Sequence, residues 1–161
     1  MNNHRNTAQG FTLIELLIVI AIIAILAAVV FVALNPLQRF KDARDARRWS
    51  DVSEVLSAVK LNQVDNAGAY LAAITAATSS LPYMIGTSPT TCNVGCTATT
   101  TQSACLDLSG LVTSGHLGAI PFDPSAGTLS KSLYYVIKSA TGILTVGACT
   151  PEGSAAVLVT R

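Results

Sequence analysis

Residues Phe11 to Leu34 read FTLIELLIVIAIIAILAAVVFVAL, and in these 24 residues Glu15 is the only ionisable side chain. At about 1.5 Å of rise per residue, a helix of this length runs roughly 36 Å, longer than the ~30 Å hydrocarbon core of a bilayer. Neither Gly nor Pro interrupts the run. In lipid the backbone must satisfy its own hydrogen bonds, so the many β-branched side chains do not prevent a helix there. A cleaved secretory signal fits poorly, because such apolar cores run about 7–15 residues and close on a small-residue triplet that is absent here. A buried helix of a soluble domain also fits poorly, since the run is apolar on every face. The stretch therefore predicts one membrane-inserted helix over 11–35.

The rest of the chain agrees with that reading. Of 161 residues, 50% are hydrophobic and only 12% charged, against about 25% charged in a soluble domain. Mean hydropathy is +0.50. Ten Lys/Arg against nine Asp/Glu give a net charge of +1, which excludes a protein built to wrap nucleic acid and a highly charged disordered tail. Within the apolar run, Glu15 is the anomaly. A carboxylate costs on the order of 2.5–3.5 kcal/mol at the bilayer centre and less near its edge. It must sit near the headgroups, take a proton or find a cation, and no Lys or Arg lies between Phe11 and Leu34.

The ten preceding residues, MNNHRNTAQG, are polar and end in Gly10. The junction Gly10-Phe11-Thr12-Leu13-Ile14-Glu15 resembles the prepilin peptidase site of type IV pilins and type II secretion pseudopilins. In that family a short hydrophilic leader ends in Gly, the next residue is usually Phe, and a Glu stands fifth in the mature chain. The resemblance covers residues 1 to about 69 and is architectural beyond. It implies cleavage between Gly10 and Phe11 and N-methylation of Phe11. It also implies assembly in which the new α-amino group of Phe11 on one copy pairs with Glu15 of a neighbour. An opposite charge within hydrogen-bonding distance offsets much of the cost of a carboxylate in an apolar bundle. Loss of the leader removes Arg5 and leaves nine Lys/Arg against nine Asp/Glu. The positive-inside rule weighs Arg5 against Arg39, Lys41, Arg44, Arg47 and Arg48 and places the C-terminal side in the cytoplasm. The leader implies the reverse orientation. It takes precedence, because the basic cluster also holds Asp42 and Asp45 on a continuing helix.

Asn35-Pro36 marks a kink or brief break, since Pro removes a backbone donor and disfavours helix at the residue before it. An amphipathic helix is expected over 36–66, with Trp49, Val52, Leu56 and Val59 on one apolar face. Lys41/Asp45 and Arg47/Asp51 are spaced for i,i+4 pairs, and Asn66-Ala67-Gly68 is a stop signal. The five basic residues from Arg39 to Arg48 read as a solvated face beside lipid headgroups. Some pili of the resembled type serve DNA uptake, but two acids offset this cluster and Trp49 alone offers a stacking group.

Residues 67–161 form the expected head. Ser and Thr fill over half of Thr87 to Ser103, a loop composition, and no N-x-S/T sequon occurs in the chain. Ser132 to Lys138, Ile143 to Val146 and Ala155 to Thr160 read as three strands, with a hairpin at Ala140-Thr141-Gly142 and a turn at Pro121-Phe122-Asp123-Pro124. That turn before a Tyr-rich strand resembles the corresponding part of major pseudopilins and simple pilins. The fold class is thus α+β and pilin-like: a long N-terminal helix packed on a small antiparallel sheet. Cys92, Cys96, Cys105 and Cys149 all follow the membrane helix, and an even count in an exported head suggests two disulfides. One local bridge among the first three and one long bridge from Cys96 or Cys105 to Cys149 are expected. The x3, x8 and x43 gaps lack paired zinc knuckles.

No phosphate loop, nucleophile elbow or His-Glu-x-x-His occurs. Ser114 beside His116 has no orienting acid readable in sequence. Asp107 and Asp123 are too scattered to make a Ca²⁺ site, so each reads as a surface carboxylate. Neither catalysis, a metal nor a cofactor is expected. The expected partners are further copies of the chain, prepilin peptidase, the inner-membrane assembly machinery and, before assembly, membrane lipid. The alternatives are a pseudopilin of a secretion or DNA-uptake machine, and a single-pass anchored binding protein that never polymerises.

Overall fold

The computed structural model describes residues 10–153 and 155–161. Residues 1–9, which hold His4, Arg5 and all but the last residue of the expected leader, lie outside the described residues. The chain divides into two units with their boundary between Arg39 and Phe40.

The first unit carries α1 (Leu13–Leu34), whose 22 residues include none that is buried. Such an all-round apolar surface requires a nonpolar solvent or other helices around it. The helix ends at Asn35, which adopts the left-handed conformation (φ 39°, ψ 66°). Asn tolerates that region better than most residues. Pro36 then opens α2 (Pro36–Asp65), at the first helical position where its missing N–H costs nothing. The break expected at Asn35-Pro36 is therefore a change of helix.

In the second unit, α2 buries Val52, Val55, Leu56 and Val59, each at most 1% exposed. At roughly 1.5–3 kcal/mol per fully buried aliphatic side chain, this stripe is a main source of head stability. The helix stops where the sequence signals it, with the Gly68 N–H (φ 92°) returning to the Gln63 carbonyl at 2.8 Å. Trp49 does not join the stripe. It is 42% exposed, and Arg48 is fully buried instead. Steps of four and three from Val52, Val55 and Val59 lead back to position 48, so the helical period selects the arginine.

The sheet has four antiparallel strands in the order β1-β2-β3-β4. They are β1 (Pro82–Met84), β2 (Tyr134–Lys138), β3 (Leu144–Ala148) and β4 (Leu158–Thr160). Tyr134 pairs with Ala148, Val136 with Val146, and Val146 in turn with Val159. The three expected strands are present, β2 and β4 with shorter bounds and β3 shifted to run on to Ala148, and β1 is an addition. Two short helices, α3 (Ala72–Ala76) and α4 (Ser109–Thr113), complete the head.

Side chains alternate across the pleat. Tyr134, Val136, Leu144 and Val146 join the α2 stripe in one core, while Tyr135 packs with Met84, Leu133, Cys92 and Cys149 in a second. Both faces of β2 are thus covered, which explains its unbroken apolar run Leu133 to Ile137. Gly147 stands opposite Tyr135, and a Cβ there would lie 2.5 Å from its ring.

Candidate functional site

Two assemblies concentrate the chemistry, one at the start of α1 and one in the head. At the first, Gly10 and Phe11 precede the helix and are exposed, Phe11 at 87%. A Cβ built on Gly10 would meet nothing within 4 Å. Thr12 is the N-cap, with extended backbone (φ −77°, ψ 151°). Its Oγ1 accepts from the Glu15 N–H at 3.3 Å, while its own N–H and hydroxyl donate to Glu15 Oε2 at 2.9 and 2.7 Å. This is a reciprocal capping box, which satisfies N–H groups that a helix start leaves unpartnered. The sequence holds its signal in Thr12-x-x-Glu15 before an apolar run.

The second assembly surrounds the buried guanidinium of Arg48. Its Nε and Nη2 donate to Asp123 Oδ2 and Oδ1 at 2.6 and 3.0 Å. Nη1 reaches Asp45 at 2.8 Å and Glu152 at 3.0 Å, and Nη2 also reaches Ser125 Oγ at 3.1 Å. Arg44 donates to both carboxylate oxygens of Glu152. Asp45 in turn accepts from the backbone N–H groups of Glu152 and Gly153. One helix turn thereby holds two loops, around 123–125 and 150–153.

Burial alone pushes the Asp123 carboxyl up, but hydrogen bonds from Arg48 and Ser125 and the guanidinium charge outweigh it and hold it down at about 2. Hydrogen bonding from Arg44 is the main reason Glu152 is also held at about 2. Burial likewise works against Asp45, and the Glu152 N–H, Arg48 and the Gly153 N–H together lower it. Burial opposes the charge of Arg48, and the three carboxylates around it raise its pKa all the same. The Tyr134 hydroxyl is raised by burial and by donating to Asp51 at 2.7 Å.

These contacts correct several expectations. Asp123 is not a surface carboxylate. It is 1% exposed, and Arg48, Ser125 and Thr150 already donate to its oxygens. Asp107 is elsewhere, accepting from the Ser109 N–H at 2.8 Å at the start of α4. The basic cluster is only partly a solvated face, because Arg48 and Arg44 turn into the head. Asp45 pairs with Arg48 rather than Lys41, whereas Arg47 and Asp51 do approach to 3.8 Å. The cysteines come together as Cys92–Cys105 and Cys96–Cys149.

Ser114 and His116 also gain an acid that the sequence does not reveal. His116 Nε2 lies 2.8 Å from Asp65 Oδ2, and its Nδ1 lies 2.6 Å from Ser114 Oγ. The arrangement has the links of a Ser-His-Asp relay without the rest of its machinery. Ser114 closes the C-terminus of α4, and its hydroxyl faces the carbonyls of Gly110 and Leu111 at 2.8 and 3.3 Å. A Ser hydroxyl donating to the carbonyl four residues back is the ordinary local bond of a Ser at a helix end. The trio ties the end of α2 to α4.

Residues 5–31 match the family model described as the prokaryotic N-terminal methylation motif. The comparisons with curated proteins and with solved structures found no match. The motif implies processing by prepilin peptidase and assembly into a polymer, in a class of structural rather than catalytic proteins. One helix among the described residues is long and apolar enough to cross a membrane, consistent with an anchored precursor. On a pilin-like α+β architecture, this chain carries the N-terminal signature of type IV pilins and pseudopilins.

Proposed function

We propose that the chain is a structural subunit of a type IV pilus-like filament and not an enzyme. The precursor sits in the cytoplasmic membrane by α1, with its head outside the cytoplasm. Prepilin peptidase cleaves after Gly10, the amine of Phe11 is methylated, and the mature chain polymerises through its N-terminal helix on the cell surface. The observation that supports this most is the pairing of an apolar, wholly exposed helix with one acid in its first turn, directly after an exposed Gly10-Phe11 junction. Lipid and neighbouring helices are comparably apolar, so transfer between them turns on packing and on polar contacts. Glu15 meeting the Phe11 ammonium of the next copy supplies such a contact, and head-to-tail contacts of this kind generate open filaments.

Glu15→Ala in the native host tests the reading. The variant is expected to stay membrane-bound and processed while sheared filaments disappear. Normal filament yield contradicts it. Labelling the filament with an antibody to the head decides between a surface pilus and a short periplasmic pseudopilus.

A further inference from the structure

Where the end of α2 meets the start of α3 and α4, the head holds a cavity of about 300 Å³, lined in part by Asn62, Asn66, Tyr70, Leu71 and Ser114. No Asp, Glu, Lys, Arg or His lines it, and none occurs from Asn66 to Leu106, so the rim contributed by residues 66–72 is uncharged. Asn62 is the unusual member. It is 3% exposed, yet its side chain makes one contact, Nδ2 to His116 Nδ1 at 3.5 Å, longer than an ordinary hydrogen bond. Among the described residues, every fully enclosed side-chain oxygen or nitrogen has a partner. The Asn62 Oδ1 has none, so it is not enclosed and opens on the cavity that Asn62 lines. A buried carboxamide left without a partner is costly.

We propose that this cavity binds one neutral sugar ring. The remaining polar groups of the lining are mostly committed. The Ser114 hydroxyl faces the Gly110 and Leu111 carbonyls and His116. The Tyr70 hydroxyl accepts from Lys60 at 2.8 Å and donates to the Gly142 carbonyl at 2.5 Å. Asn66 Nδ2 donates to the Asn62 backbone carbonyl at 2.8 Å. What is left over is the carboxamide oxygens of Asn62 and Asn66, acceptors that need donors from outside. Sugar hydroxyls supply those donors, and the C–H face of the ring packs on Tyr70 and Leu71. An ion fits badly, because an unpaired charge is costly to bury and the lining offers neither a cation nor a carboxylate. An apolar ligand leaves Asn62 unpaired. The volume stands at the low end of the ~300–1,000 Å³ range of ligand pockets, which suits a single ring. The bonds of Tyr70, Asn66 and Ser114 fix the walls before a ligand arrives, so little is lost on ordering them. The whole cavity lies in the head, and the proposal does not depend on polymerisation.

The test uses the full chain in an amine-oxide detergent, whose headgroup is not a sugar, and saturation-transfer NMR titration. The probes are glucose, galactose, mannose and N-acetylglucosamine, with glycerol and sodium acetate as controls. At least one sugar is expected to bind wild type in the millimolar range, the scale for so small a ligand. Asn62→Leu is expected to weaken that binding at least about fivefold, the worth of one neutral hydrogen bond. Ala72→Phe, which fills the cavity from an exposed position of its lining, is expected to abolish it and stands in should Asn62→Leu not fold. Absence of binding by all four sugars overturns the proposal. So does wild-type affinity in Ala72→Phe, which places the sugar elsewhere. Glycerol or acetate binding as well as the best sugar overturns it too, because the cavity then does not select a neutral ring.

Discussion

Arg48 Nε donates to Asp123 Oδ2 at 2.6 Å across 75 residues of sequence, and neither side chain is exposed. A buried ion pair of this kind is a weak source of net stability when whole, because desolvation cancels much of the attraction. Breaking it from one side is different. Arg48→Ala leaves Asp123 buried without its cation and is expected to cost about 3–5 kcal/mol, or a fall in Tm on the order of 10–20 °C. Arg48→Met combined with Asp123→Asn is expected to recover part of that loss. Thermal unfolding of the detergent-solubilised protein checks both. Equal damage from the single and double variants contradicts a pairwise role.

Acid dependence follows from the same cluster. In the folded head Asp123 and Glu152 are lowered to about 2 from ordinary values of 3.8 and 4.5. A carboxyl held below its unfolded value stabilises the fold above the unfolded value and loses that contribution as pH falls through the folded one. Tm is therefore expected to be level above about pH 5 and to drop between about pH 4 and pH 2. The Arg48→Met/Asp123→Asn variant is expected to drop less steeply over that window, and a pH titration of Tm for both proteins decides it.

Gly127 holds the Asp123 loop closed. A Cβ there would lie 2.3 Å from the Asp123 nitrogen and 2.6 Å from the Ser132 carbonyl oxygen, which are themselves hydrogen-bonded at 2.8 Å. Both neighbours are backbone, so neither can swing away. Gly127→Ala is expected to cost about 1–3 kcal/mol, the range for overpacking a filled site. An unchanged Tm would show that the loop relaxes freely.

The two disulfides differ in the chain they close. Cys96–Cys149 spans 53 residues and Cys92–Cys105 spans 13. On loop entropy alone they contribute about 4 and about 3 kcal/mol. Cys149 also lies beside the 150–153 loop, so Cys96→Ser/Cys149→Ser is expected to lower Tm more than Cys92→Ser/Cys105→Ser. The reverse order contradicts this account of the head.

Legibility in sequence followed the range of the signal. The long apolar helix, the change of helix at Asn35-Pro36, the stop at Gly68 and three of the four strands are written in contiguous residues. Thr12 and Glu15 are three apart, so the capping box has a local signal too, one that reading Glu15 only as an isolated acid passes over. Arg48 was hidden because five basic residues in a row of ten look alike until the helix phase assigns one of them to the core. Two of its three acids are 75 and 104 residues away, in loops whose composition marks them as surface. Trp49 misled for the same reason, since its hydrophobicity outweighed a phase that differs by one residue. Asp65 reaches His116 across 51 residues, a pairing that only the packing of α4 on α2 creates. β1 has three residues and begins with Pro82, too short a run to carry a period.

Mass spectrometry of the protein purified from its native host tests the central claim most directly, because one spectrum reads the N-terminus and its modification together. The account predicts a chain that begins at Phe11 with one added methyl group. A chain that still begins at Met1, with the ten-residue leader attached, contradicts it.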